Sequence, residues 1–162
     1  MQPIVDPAPA ETQPPQLPEA FLAAIETLGL QKQNPDQPSP WAIILRTPGA
    51  QGLPFQVRYL ALPESASALQ LVGLFSELPA NLVQEILGAL NNHALLGRYL
   101  LPPFSVSNNI VLACIANLPL TPDLSKEWFT LVLRGFIADL GLLPLLIQKQ
   151  ALLHAKAPPQ LN

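Results

Sequence analysis

Hydrophobic residues recur at helical spacing in three parts of the chain. In residues 19–30, Phe21 and the apolar residues one, four and seven positions after it fall on one face of a helix. Gly29 is a residue type that commonly ends a helix. Residues 79–90 repeat the pattern, and residues 126–140 carry it again behind a run of helix-capping residues. The pattern therefore predicts three helices within the body of the chain.

Five further segments have the short apolar runs or the alternation that are typical of strands. From Phe55 to Tyr59, apolar residues alternate with Gln56 and Arg58, which indicates an antiparallel strand with one buried face. We therefore predict an α+β fold, with an antiparallel sheet of about five strands, helices packed on it in the order α-β-β-β-α-β-β-α, and an added C-terminal helix. The predicted strands are residues 41–47, 55–62, 69–75, 99–102 and 110–117.

The third helix has more apolar surface than one sheet requires. Trp128, Leu131 and Gly135 extend the face that contains Phe136 over most of the helix circumference. A helix of this kind is buried on two sides. We expect one side to be the sheet and the other a subunit, a partner or residues 144–156, which begin with a proline and form a separate helix. Folding back of that helix onto its own domain is favoured over exchange with a neighbouring copy.

The remaining segments divide the chain into a domain and its extensions. Residues 1–18 contain six of the 20 prolines and few large apolar groups, so they bury too little surface to offset the entropy of ordering. We predict a flexible proline-rich tail at 1–18, one α+β domain at 19–143, a helical extension at 144–156 and a frayed tail at 157–162.

Composition limits the classes of partner. Apolar residues make up 49% of the chain and charged residues only 12%, about half the usual share, which favours association of the protein with itself or with a partner. The net charge is −3 and the basic residues form no stripe, so no nucleic-acid ligand is expected.

The longest apolar run, residues 128–147, is interrupted by Arg134, Asp139 and Pro144, and no secretory leader is recognisable. We expect a cytoplasmic protein without a membrane partner.

The sequence has no recognisable catalytic or metal-binding constellation. The only cysteine, Cys114, lies in the apolar run 110–116, which favours a buried thiol over a nucleophile. His93 and His154 are far apart in sequence and provide no convergent metal ligands. No serine lies in a nucleophile elbow, and no glycine-rich phosphate loop follows a strand. We therefore expect a non-enzymatic protein without a metal or cofactor.

Eight residues are candidates for holding a segment of a partner, either as an added strand or as a helix in a groove. Arg46 and Arg58 interrupt apolar strands, and on antiparallel neighbours they would share the open face of the sheet. They are then either solvated side chains or a polar clamp for a partner's carboxylate or backbone. Most of the other candidates are equally good core residues, and we expect about half of them to be fully buried; they are Trp41, Tyr59, Phe75, Trp128, Leu131 and Phe136.

The order of the predicted elements and three segments resemble the YbjN-type domain, which shares its fold with type III secretion chaperones. The segments are residues 21–30, FLAAIETLGL, residues 90–100, LNNHALLGRYL, and residues 110–118, which lead into the third helix. The resemblance covers about residues 19–143, although the family's strands are usually richer in charge. It implies a non-enzymatic protein, often a homodimer, that binds segments of other proteins as a chaperone or regulator.

Two functions remain open from the sequence. The first is an assembly chaperone or adaptor that captures a terminal tail or short helix of a partner. The lysine-poor composition, rich in leucine, glutamine and proline, is typical of cyanobacteria, where such a protein would assist an assembly such as a carboxysome shell. The second is a small apolar-ligand-binding protein or enzyme with a pocket between the third helix and the sheet. A structural role through self-association is a third option.

Overall fold

The computed structural model describes residues 16–33, 41–49, 52–102 and 109–156, and these ranges contain three α-helices and six strands. A short 3₁₀ turn, Pro63–Ser65, joins the third and fourth strands. In chain order the elements are α1 (Glu19–Thr27), β1 (Gln31–Gln33), β2 (Ala42–Arg46), β3 (Pro54–Ala61), β4 (Ser67–Pro79), α2 (Ala80–His93), β5 (Arg98–Leu100), β6 (Asn109–Pro119) and α3 (Lys126–Lys156).

The strands form one antiparallel sheet in the order β1-β2-β3-β4-β6-β5. The predicted α+β class is confirmed, and the five predicted strands are present. The sixth strand, β1, was not predicted because its three residues are polar and too few to show alternation. It exists because Gln31 to Gln33 pair with Ile44 to Arg46 of β2, a tertiary contact that local sequence does not encode.

The helices cover one face of the sheet. Successive strand residues point to opposite faces, so the strand register sorts the side chains into a covered set and an open set. Ile44, Gln56 and Ile115 belong to the open face and lie outside the hydrophobic core. The covered face supplies the sheet's part of that core, which consists of Leu45, Phe55, Val57, Leu69, Leu71, Tyr99, Leu112, Cys114, Ala116 and Leu118.

Strand β4 is longer than its apolar run predicts. The segment 69–75 was expected, whereas the strand extends from Ser67 to Pro79. A register shift between Phe75 and Leu78 interrupts its pairing with β6, and Glu77 has a positive φ of 64° there. A bulge of this kind adds unpaired residues and bends the strand, which hides its continuation from a pattern of simple alternation.

The third helix does not end near residue 140. It continues without a break from Lys126 to Lys156, so the separate helix expected after the proline is the second half of α3. Pro144 removes the hydrogen bond to the carbonyl of Leu140, at a cost of about 3 kcal/mol in a helix interior. Packing on both sides offsets this cost, because Leu143 is buried and Ile147 is half-buried against the core.

The first half of α3 forms a wall of the core. Its Phe129 packs edge-to-face on Phe21 of α1 with ring centroids 5.4 Å apart, and Phe136 packs in the same way on Phe55 of β3 at 5.5 Å. By length and composition alone, the segment Lys126–Leu153 would be able to cross a bilayer, and one third of its most apolar window is buried inside the protein. In the second half of α3, Leu145, Leu152 and Leu153 are exposed.

Candidate protein-binding cleft

The two arginine candidates lie on the open face of the sheet, but they do not converge. Arg46 pairs with Pro54, whereas Arg58 lies four residues further along β3, about 13 Å at the rise of a strand. The Arg46 Nη1 donates a hydrogen bond of 2.7 Å to the carbonyl of Gly52, and the Arg58 Nε donates one of 2.9 Å to Gln56 Oε1. Each guanidinium is therefore held beside its own hydrogen-bond partner, and the two do not form a joint clamp.

Two aromatic candidates, Trp41 and Tyr59, lie together at one end of the covered face. The backbone N–H of Tyr59 donates to the carbonyl of Trp41 at 2.8 Å, which extends the β2–β3 pairing by one residue. The ring centroids are 6.3 Å apart and the rings are tilted by 53°. Both side chains are half-buried. This arrangement gives a partly exposed aromatic surface.

These two rings line a cleft of about 420 Å³, which we call the Trp41–Tyr59 cleft. Its floor is the covered face of β2 and β3, and the residues around the start of α1 form one wall. Glu19 and Lys32 bring charges of opposite sign to it. A volume of this size accepts a few side chains of a bound segment. The lining residues are Gln16, Leu17, Glu19, Leu22, Lys32, Trp41, Ala42, Ile43, Val57 and Tyr59.

Tyr59 connects this cleft to a second one. Tyr59 and Gln16 also line a cleft of about 340 Å³ that continues past Pro18 toward Thr121, in the connection between β6 and α3. The two clefts share Gln16 and Tyr59 and therefore meet at these residues. Together they provide a path for an extended segment, with Tyr59 between two positions where side chains can be held.

The other four candidates lie elsewhere. Phe136 is fully buried between α3 and the sheet, so it is a core residue and is removed from the candidate surface. Phe75 is half-buried and stacks on Tyr99 at 6.2 Å, and Trp128 packs edge-to-face on Phe129. Leu131 is 70% exposed on the outer side of α3. Sequence periodicity places a residue on a helix face but does not show which face the fold covers.

The layer between α3 and the sheet is closely packed, which opposes the alternative of a ligand pocket there. A Cβ on Gly73 of β4 would lie 2.2 Å from Cδ2 of Leu140. Leu133, Phe136 and Leu140 are all fully buried in this layer. Gly73 therefore leaves room for Leu140, and the helix fills the space that the alternative of a ligand pocket requires.

Asp139 is the residue whose importance sequence reasoning missed. Its side chain is 1% exposed, and its carboxylate accepts hydrogen bonds from the backbone N–H groups of Leu95 at 2.7 Å, Leu96 at 2.8 Å and Gly97 at 2.6 Å. These bonds fix the turn between α2 and β5 onto α3. The sequence did contain a sign of this role, because Asp139 follows Phe136 by three residues and so lies on the apolar face of the helix. A carboxylate buried there needs several hydrogen-bond donors.

The buried polar groups near Asp139 are not poised for chemistry. Burial, with a smaller contribution from Asp139, raises the pKa of the Cys114 thiol to about 12. Burial likewise raises the pKa of Tyr99, whose hydroxyl donates to the backbone carbonyl of Asp139. Both groups are therefore protonated at neutral pH, which leaves no thiolate nucleophile. Within residues 16–33, 41–49, 52–102 and 109–156, no three His, Cys, Asp or Glu side chains are grouped to hold a metal ion.

Comparison with known proteins identifies the fold of the chain. No family model matches the chain, and no curated protein matches it. Among solved structures it is similar to YbjN from E. coli, described as a candidate transcription regulator, with a TM-score of 0.53 and 16% identity over 85% of this chain and 95% of that one. The chain has a YbjN-like fold. This part of the resemblance expected from the sequence is confirmed, and at 16% identity it concerns the fold alone.

Proposed function

We propose that the protein is a non-catalytic binding module, an assembly chaperone or adaptor that captures a short segment of a partner protein in the Trp41–Tyr59 cleft. The observation that carries this proposal is the pairing of two half-buried aromatic rings over a cleft of about 420 Å³. Tyr and Trp are the residue types that concentrate binding energy at protein interfaces, since each buries a large area with few rotatable bonds.

The edge of the sheet supports capture of an extended segment. β1 is the terminal strand of the sheet, and its Lys32 also lines the cleft. A segment that pairs with β1 would direct alternate side chains toward the covered face, beside Lys32 at the edge of the cleft. Main-chain hydrogen bonds would then supply affinity, and the cleft would select the side chains. Lys32 and Glu19 favour a segment with polar or charged residues beside its apolar anchor.

For the partner, we propose a terminal tail or short helix of a carboxysome shell component, in the cytoplasm. The support is the lysine-poor composition, rich in leucine, glutamine and proline, together with the absence of a recognisable catalytic constellation in the sequence. A chaperone of this kind would cover the partner's apolar segment until assembly and would release it there without a chemical step.

The test uses two adjacent residues of β3 that point to opposite faces. Tyr59→Ala removes the shared wall of both clefts, and Arg58→Ala is its matched control on the open face. Wild type and both variants are titrated with synthetic peptides of the terminal segments of carboxysome shell proteins, and binding is followed by tryptophan fluorescence. We expect at least one peptide to bind, a roughly tenfold or greater loss of affinity for Tyr59→Ala, and little change for Arg58→Ala.

Other outcomes separate the parts of the proposal. Equal affinity of all three proteins would contradict the cleft, and loss only in Arg58→Ala would transfer binding to the open face. If no shell peptide binds, the shell assignment is wrong. Circular dichroism and thermal melting establish that Tyr59→Ala is folded, and Trp41→Phe provides a second variant that keeps an aromatic ring in the cleft.

A further inference from the structure

One face of α3 remains apolar and uncovered along almost the whole helix. Leu131, Ala138, Leu145 and Leu152 are each seven residues apart and all are exposed, with Leu131, Leu145 and Leu152 at 70%, 61% and 56%. At 1.5 Å per residue they extend over about 32 Å. A seven-residue repeat of exposed apolar side chains is the pattern of a helix that packs lengthwise against another helix. We call this surface the α3 seam.

The seam is bordered by a groove that belongs to the same surface. The turn before β5 brings Leu95 and Leu96 beside Leu131 and Ala138, and the groove between them measures about 410 Å³ and is almost entirely apolar. Leu96 packs on Gly135, where an added Cβ would lie 2.6 Å from its Cδ1. Leu96 therefore fills the space over Gly135 and forms one wall of the groove, whose volume is large enough for an apolar side chain.

The seam is complementary to itself in the antiparallel direction. If a second copy is related by a two-fold axis at Ala138, Leu131 faces Leu145 of the second copy and Glu127 faces its Lys149. Both pairings occur twice by symmetry. Glu127 and Lys149 are both exposed in the monomer. Like residues meet in the centre and opposite charges meet at the ends, which is the complementarity that an isologous helix pair requires.

We infer that the α3 seam is the interface of a homodimer, in which two α3 helices pack antiparallel about Ala138. Leu145 of each copy enters the groove formed by Leu95, Leu96 and Leu131 of the other. The small side chain of Ala138 lets the helix axes approach closely at the centre. The inference does not depend on the Trp41–Tyr59 cleft, which shares no lining residue with the seam or its groove.

The self-complementary charges favour a second copy over another occupant. A lipid surface would leave Glu127, Arg134 and Lys149 at the edge of the same apolar face without specific partners. In the antiparallel pair the acid and the lysine neutralise each other, and Arg134 reaches the solvent at the rim beside Leu142 of the second copy. The apolar groove and the apolar knob that fits it are both present on one chain.

The first test measures the mass of the full-length protein by sedimentation equilibrium at micromolar concentration. We expect a dimer for wild type, a monomer for Leu145→Asp, and a dimer for Leu62→Asp, which introduces the same charge at an exposed leucine outside the seam. A monomeric wild type, or a dimer in Leu145→Asp, would overturn the inference. A wild-type monomer that binds phosphatidylcholine vesicles and loses this binding in Leu145→Asp would assign the seam to a membrane instead.

The second test addresses the register. Glu127→Lys and Lys149→Glu each place like charges together, so each is expected to weaken the dimer, and the double variant is expected to restore most of the loss. A cysteine at the axis, Ala138→Cys, is expected to form a disulfide-linked dimer on oxidation, whereas Glu85→Cys on the exposed side of α2 is not. Additive charge effects without restoration, or equal cross-linking at both positions, would contradict the antiparallel register.

Discussion

The carboxylate of Asp139 in the middle of α3 accepts a hydrogen bond of 2.6 Å from the backbone N–H of Gly97, 42 positions earlier in the chain. Two further bonds to Leu95 and Leu96 complete this contact. The same turn carries the leucines that border the α3 seam. The buried acid therefore determines the shape of a surface that it does not itself reach.

Replacement of Asp139 by Asn is expected to destabilise the protein by about 2–5 kcal/mol, because one amide oxygen cannot satisfy three donors and the amide NH₂ would be buried. Urea unfolding measures the change. Asp123→Asn, at an exposed position before α3, is the matched control and is expected to change stability by less than about 0.5 kcal/mol. A similar small change in both variants would show that the turn does not depend on the carboxylate.

Gly97→Ala is expected to destabilise the protein by about 1–3 kcal/mol, because the new Cβ would lie 2.6 Å from Sγ of Cys114. Combining it with Cys114→Ala removes the clashing atom, so the double variant should be more stable than the sum of the single losses predicts. Gly88→Ala in α2 is the control, since nothing lies within 4 Å of its added Cβ, and it is expected to gain about 0.5–1 kcal/mol. Thermal melting of the four variants measures these changes. Purely additive losses would show that the added Cβ at position 97 and the Sγ of Cys114 do not compete for space.

Phe136→Ala is expected to cost about 3–5 kcal/mol, since it opens a cavity in the layer between α3 and the sheet. Leu74→Ala, at a leucine 54% exposed on the open face of β4, is expected to cost less than about 1 kcal/mol. Chemical denaturation compares the two. A stable Phe136→Ala protein with a lost binding activity would return Phe136 to the candidate surface, contrary to its burial.

The buried Cys114 thiol predicts how stability depends on pH. Its pKa is raised from 9.0 to about 12 in the folded protein, so the unfolded chain loses this proton first as the pH rises. The contribution is complete below about pH 9 and is lost progressively as the pH approaches 12. Unfolding free energies of wild type and Cys114→Ala, measured across this range, should therefore fall more steeply for wild type. Parallel curves would mean that the thiol is accessible and ionises normally, as would rapid labelling by a thiol reagent in the native state.

Periodicity along the chain was sufficient for the α+β class and for most elements. The alternation at residues 55–59 predicts β3, and the apolar face after Phe21 predicts α1, because both patterns arise from which side of an element faces the core. Gly29, with a φ of 65°, ends α1 at the position expected from its lack of a Cβ. These features depend on near neighbours in the chain, so the sequence alone contains them.

The features that needed the tertiary structure depend on contacts between distant residues. β1 forms only because β2 provides its hydrogen bonds, and α3 continues through Pro144 only because packing on either side offsets the lost bond. Among the binding candidates, the sequence did not distinguish the buried Phe136 from the exposed Leu131. The hydrophobicity of a side chain indicates that its burial would stabilise the folded state. Whether another element covers that side chain is decided only by the tertiary arrangement.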